Sequence, residues 1–206
     1  MFPLSLLALL HLYIGWRIAP QLPGLATPLL FVGLLALSFA LIPAAFLGRH
    51  ARDRRVADRW TWAGMLTLGL FSMLLVSTLL RDLVLLLAWP FGLASLAAPT
   101  ALAVPVLAGL ATLFGLAGAR RTARVRHVDI RVAGLPAALH GFTIAQITDL
   151  HVGPTVKAAY VRRVVDAVNR LRADAVAVTG DLVDGRVEDL MHDVAPLAAL
   201  RSRHGT

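Results

Sequence analysis

The alternation of apolar and polar positions changes character once along this chain, at Arg120. Before that point, long apolar runs are broken only by short charged pieces. After it, charges, alternation and turn residues recur every few positions. A helix needs about 20 mostly apolar residues to cross a hydrocarbon layer of about 30 Å. Four stretches within residues 1–119 qualify, at about 2–18, 27–47, 61–80 and 100–119. The first lacks a basic start and a small-residue cleavage site, so it reads as a helix rather than a removed signal. Arg81 and Asp82 interrupt the third run, which resumes over residues 83–89. Charges are costly inside a bilayer, so either the third span ends at that pair, leaving 83–89 at the interface, or one long tilted helix carries a paired charge; the first is the favoured expectation.

Residues 120–206 carry other periods. The stretch 124–132 (RVRHVDIRV) alternates as a half-buried strand would, and Gly134, Leu135 and Pro136 then break it. Residues 141–148 (GFTIAQIT) predict a second strand. A helix is expected over about 156–172, because Val161, Val164, Val165, Val168 and Leu171 recur at steps of three and four. The short apolar run 175–179 (AVAVT) suits a buried parallel strand, and a second helix is expected over about 186–200. Strand–helix–strand–helix order implies a parallel sheet with helical crossovers. The fold class expected is therefore a four-span membrane helical bundle followed by a partial α/β domain.

Composition narrows the function. Hydrophobic residues make up 58% of the chain and its mean hydropathy is +0.73, which excludes an ordinary soluble protein. Cysteine is absent, which rules out disulfides and thiolate metal sites. The net charge of +8 divides evenly between the two parts. Residues 1–119 hold seven Arg against three Asp, and residues 120–206 hold twelve Arg and one Lys against nine acids. Arg49, Arg52, Arg54, Arg55 and Arg59 follow the second run, and Arg120, Arg121, Arg124 and Arg126 follow the fourth. Basic clusters beside spans are topology signals, and no nucleic-acid-binding motif accompanies them, so nucleic acid is not an expected partner. With four spans both clusters fall on one side. The positive-inside rule makes that side cytoplasmic, which predicts a multi-pass protein of the cell (inner) membrane with both termini and the polar part inside. Trp16, Trp60, Trp62 and Trp89 lie near span ends, where indoles prefer the interface. His11 is the one histidine, acid or base in mid-span, and it reads as hydrogen-bonded inside a bundle rather than as part of a transport path.

The candidate chemistry lies just beyond two predicted strands. Asp149 and His151 are two residues apart, so on an extended backbone their side chains leave on the same side. A carboxylate and an imidazole converging there suit Mn²⁺, Fe or Zn²⁺. Asp181, at the end of what should be the neighbouring strand, could reach the same ion and bridge to a second, with Gly180 leaving room for a tight turn. The C-terminal edge of a parallel sheet is where such sites assemble.

At these residues a family resemblance becomes specific. ITDLHVG at 147–153 followed by VTGDLVDG at 178–185 resembles the first two signature blocks of the calcineurin-like metallophosphoesterases. The likeness is greatest to their membrane-anchored bacterial branch with several N-terminal helices. The resemblance implies an αββα sandwich with two divalent metal ions (Mn, Fe or Zn). Asp149 and His151 would bind the first ion, Asp181 would bridge both, and Asp184 would support the site from behind the ligands. It also implies hydrolysis of a phosphomonoester or phosphodiester by a metal-bound hydroxide, with a lipid-linked ester one candidate substrate beside the bilayer. Thr148 stands where the family more often has serine. The family's later Asn-His, lone His and Gly-His-x-His blocks have no counterpart here, so no further catalytic residue is assigned, and His192 and His204 receive no role. The expectation is accordingly a fragment that is inactive as it stands. The rival reading is a non-catalytic membrane structural or interaction protein that keeps a vestigial phosphoesterase stub.

Overall fold

The computed structural model describes residues 2–48 and 51–206. Arg49 of the first basic cluster lies outside the described residues. The chain forms two compact units, Met1–Arg120 and Arg121–Thr206.

The first unit consists of helices α1 (Phe2–Ile18), α2 (Ala26–Gly48), α3 (Arg54–Ala88) and α4 (Ala97–Ala119). Among the described residues, three stretches are long and apolar enough to cross a membrane: Ala26–Gly48, Arg54–Phe91 and Ala97–Ala119. At 17 residues, α1 rises only about 25 Å. Ile14, Ile18, Leu74, Ala101 and Ala108 form the centre of this unit. Leu9, Leu30, Leu87 and Phe114 stay exposed around it, as on helices that are apolar on every side. Helices α2 and α3 approach closely at Gly64, where an added Cβ would lie 2.0 Å from that of Ala45. Small residues at such a crossing are the usual means of bringing helix backbones together in lipid.

The third helix extends past the expected span at both ends. It starts at Arg54, where the Asp53 carboxylate caps it by accepting from the Arg55 amide at 2.8 Å. It also runs unbroken through Arg81 and Asp82 to Ala88, so 83–89 is not a separate interfacial piece. The physical reason is that neighbouring helices satisfy both charges. Arg17 of α1 donates two hydrogen bonds of 2.8 Å to the two oxygens of Asp82, and the Tyr13 hydroxyl adds a third at 2.6 Å. Buried Arg81 donates to the Ala97 carbonyl at 2.9 Å and to the Thr100 hydroxyl at 3.2 Å, both on α4. A fully partnered pair gives the helix no reason to stop. His11 sits as expected: buried, stacked on Phe71 at 4.3 Å and 3.0 Å from the Ser38 hydroxyl.

The second unit contains β1 (Ile144–Thr148), α5 (Ala158–Leu171), β2 (Ala175–Thr179) and α6 (Val187–Val194). The strands pair in parallel, from Ile144 opposite Ala175 to Thr148 opposite Thr179. Val161, Val164, Val165 and Val168 of α5 are buried in one core with Ala145, Ile147 and Val176. Two expectations fail here. Residues 124–132 form no strand and are exposed throughout, because alternation supplies only half of a strand and the backbone still needs a neighbour to pair with. The helix expected to reach about residue 200 ends at Val194 and gives way to a 3₁₀ turn, Ala195–Ala199. Pro196 is responsible, since it lacks the N–H that an α-helix would use.

Candidate metal centre

Because the strands are parallel and in register at Thr148 and Thr179, the segments that follow them leave the same edge of the sheet side by side. Pairing then continues beyond the strands. The His151 amide donates to the Asp181 carbonyl at 3.2 Å, the Val152 amide to the Leu182 carbonyl at 2.9 Å, and the Asp184 amide back to the Val152 carbonyl at 2.9 Å. The two motif loops are therefore laced together through their backbones before any side chain is considered.

Within that lacing, Asp149 and His151 both take left-handed backbone conformations, with φ of 51° and 50°. Few residues other than glycine do so, although Asp and His are among the types enriched there. Such outliers persist only where the surroundings hold them. Gly180 is also left-handed, at φ 72°, and a Cβ there would lie 2.6 Å from the Thr148 hydroxyl and 2.8 Å from a carboxylate oxygen of Asp149. The position favours glycine on two counts, its left-handed backbone and the close approach of the Thr148 and Asp149 side chains.

His151, Asp181 and Asp184 meet. Each offers a ligand atom, and these atoms all lie within 4.8 Å of one another. The His151 Nδ1 is 3.0 Å from an oxygen of Asp184 and 4.0 Å from one of Asp181. Asp149 stands on the same rim but outside that group. Its carboxylate accepts from the Thr148 hydroxyl at 2.5 Å and from the Asp181 amide at 3.3 Å. Of the residues singled out from the sequence, the structure thus gathers His151, Asp181 and Asp184, and ties Asp149 to Asp181 through the backbone. What the sequence did not reveal is that Asp184 stands level with His151 and Asp181. The signal lies in the parallel pairing of Val152 with Val183, which carries the second loop alongside the first. His192 and His204 lie elsewhere: His192 lines a shallow groove with Arg162 and Asp166, and His204 stacks on Phe142.

Electrostatics follow from this geometry. The Thr148 hydroxyl, and after it the Asp181 amide, hold the Asp149 carboxyl below its ordinary range. The hydrogen bond that the His151 ring donates to the Asp184 carboxylate, followed by that carboxylate's charge, pushes the imidazole above its ordinary value. Carboxylates outnumber the imidazole on this rim, so it is a place where positive charge is favoured. One imidazole nitrogen and carboxylate oxygens, all exposed, fit a divalent ion such as Mn²⁺, Fe²⁺ or Zn²⁺. Among the described residues this is the one group of three or more such side chains arranged for an ion.

No family model matches the chain, and neither does any solved structure. Curated proteins do. A Danio rerio protein named "Transmembrane protein with metallophosphoesterase domain" is 37% identical over 107 residues, which are 52% of this chain and 24% of that protein. The Bos taurus protein of the same name is 38% identical over 129 residues, 59% of this chain and 29% of its own length. A Helicobacter pylori protein named "Uncharacterized metallophosphoesterase" is 40% identical over 63 residues, covering 31% of this chain and 17% of that one. The chain spans about a quarter of the length of the two animal relatives. By these matches the chain is, over part of its length, a homologue of proteins named metallophosphoesterases, some of them transmembrane.

Proposed function

We propose that this chain carries the first two motif blocks of a membrane-anchored, metal-dependent phosphoesterase of the calcineurin-like kind. The observation that carries the reading is the meeting of His151, Asp181 and Asp184 at the C-terminal edge of a parallel strand pair. The names of the relatives support the reaction class, and the long apolar helices support the anchor. In the completed domain the sheet would grow into an αββα sandwich holding two divalent ions. The anchor would comprise four spans in the cell membrane, with the polar unit on the cytoplasmic side.

The residues of this chain have defined tasks in that reading. His151 and Asp181 hold an ion from two different loops, and Asp184 either completes its ligands or orients the imidazole through the 3.0 Å contact. Asp149, fixed by Thr148 and the Asp181 amide, is preset as a carboxylate beside them. A proton held on His151 by Asp184 must leave before that ring nitrogen can ligate, so ion binding weakens as pH falls. When bound, such ions offset charge on phosphoryl oxygens and make an attacking water more acidic. Substrates are phosphomonoesters or phosphodiesters, with a lipid-linked ester favoured by placement beside the bilayer.

Hydrolysis of bis-p-nitrophenyl phosphate with added Mn²⁺, measured on the chain extended to the length of its relatives, tests the proposal. Asp181→Asn should lower turnover by about a hundredfold or more while membrane insertion is unchanged. An Asp181→Asn protein that keeps full activity would remove this site from the reaction.

A further inference from the structure

Residues 121–132 have no role in the candidate centre and form no strand, yet they are unusual. Val125, Val128, Ile130 and Val132 are 46%, 77%, 80% and 56% exposed, and Arg121, Arg124, Arg126 and Arg131 are exposed between and beside them. Only Asp129 offsets the four guanidinium groups, so the segment carries a net charge of +3. It also begins two residues after the end of α4, a helix long and apolar enough to cross a membrane. Four large aliphatic side chains in water would be a liability for a soluble loop. The arginines argue against a purely apolar partner, whereas a surface offering both fixed negative charge and an apolar layer below it suits every one of these residues.

We infer that residues 121–132 lie on the bilayer surface and recognise anionic phospholipid headgroups, with Val128, Ile130 and Val132 entering the interface beneath them. Basic residues next to a span gain roughly fivefold in partitioning each from the negative potential of such a leaflet, an effect confined to about a Debye length. Paired guanidinium donors also match phosphate oxygens geometrically. The segment then orders the start of the polar unit against the membrane. The inference depends on α4 being embedded in a bilayer, as proposed above, and is independent of the metal centre.

The absence of cysteine permits a direct test on the full chain. Ile130→Cys labelled with the environment-sensitive fluorophore NBD would be reconstituted into nanodiscs of phosphatidylcholine alone, or with one third phosphatidylglycerol. The expected result is brighter, blue-shifted emission only with phosphatidylglycerol. That gain should be lost at about 1 M salt, where the Debye length is about 3 Å, and in a R121Q/R124Q/R126Q/R131Q background. Equal emission in both lipids, whether water-like or shielded, overturns the inference. The shielded case would mean that a protein surface covers the segment. Co-elution with the discs is scored separately, and a chain that fails to insert would sink the anchor and this inference together.

Discussion

At the scale of single residues, Gly180 decides whether the candidate centre can form. Any other residue there would adopt a left-handed conformation at a cost of about 1–2 kcal/mol. It would also push a Cβ against the side chains of Thr148 and Asp149, which would have to shift and give up their present hydrogen bonds. Gly180→Ala should therefore weaken Mn²⁺ binding by about tenfold or more, as disturbances around metal ligands commonly do. Isothermal titration against the unsubstituted chain measures this, and equal affinities would show that the turn tolerates the methyl group. Asp174 plays a different part, at the opposite ends of the two strands. Its carboxylate accepts from the Thr143 amide and hydroxyl, both at 2.9 Å, and so joins the approaches to the two strands. Those bonds, the amide's first, hold its pKa below the ordinary value. A carboxyl depressed in the folded state stabilises above its unfolded pKa of about 3.9, and that contribution disappears as pH falls through the folded value. The difference in melting temperature between the natural chain and Asp174→Asn should thus be constant near neutrality and shrink below about pH 4. A difference that ignores pH would separate Asp174 from this role.

Among elements, α3 shows most clearly how context overrides local pattern. An Arg–Asp pair inside an apolar run suggests a helix end, because isolated charges are costly in hydrocarbon. The helix nevertheless continues, since Asp82 receives Arg17 and Tyr13 from α1 while Arg81 reaches oxygens on α4. Asp82 is the hub of this network and the only acid in it. Asp82→Ala would leave two guanidinium groups without their counter-charge, Arg81 among them and only 5% exposed. Removing one partner of such a pair typically costs about 3–5 kcal/mol. Denaturation in mild detergent should show a loss near the lower figure, because Arg17 is partly exposed. A loss well below 1 kcal/mol would mean that packing alone fixes α1 against α3.

For the molecule as a whole, the proposed anchor turns on whether α1 crosses the bilayer together with the three longer apolar helices. By length alone α1 falls short, rising about 25 Å against a layer of about 30 Å. It is nonetheless joined to the bundle by buried Ile14 and Ile18, by His11 against Ser38 and Phe71, and by the Arg17–Asp82 pair near its end. A helix bound by those contacts should cross with the others, with the Arg17 side chain extended toward the interface. Reporter fusions at the two termini should then both report the cytoplasmic side. Opposite sides would mean that α1 lies outside the membrane and that three helices cross.

The order of elements was readable in advance because it depends on periodicity, and periodicity is local. The apolar runs gave α2 to within one residue at each end and α4 at its C-terminal end, the steps of three and four marked the buried face of α5, and the short run 175–179 marked β2. Asp149, His151 and Asp181 were likewise visible as polar residues placed where strands end. What only three-dimensional assembly could decide was partnership. Residues 124–132 have the alternation of a strand without a strand to pair with, and Arg81–Asp82 resembles a helix end until α1 and α4 supply its counter-groups. Asp184 joins the ion group because Val152 pairs with Val183, a contact between residues 31 apart in sequence. Hydrogen bonds and charges are satisfied across such distances, so no window along the chain contains the answer.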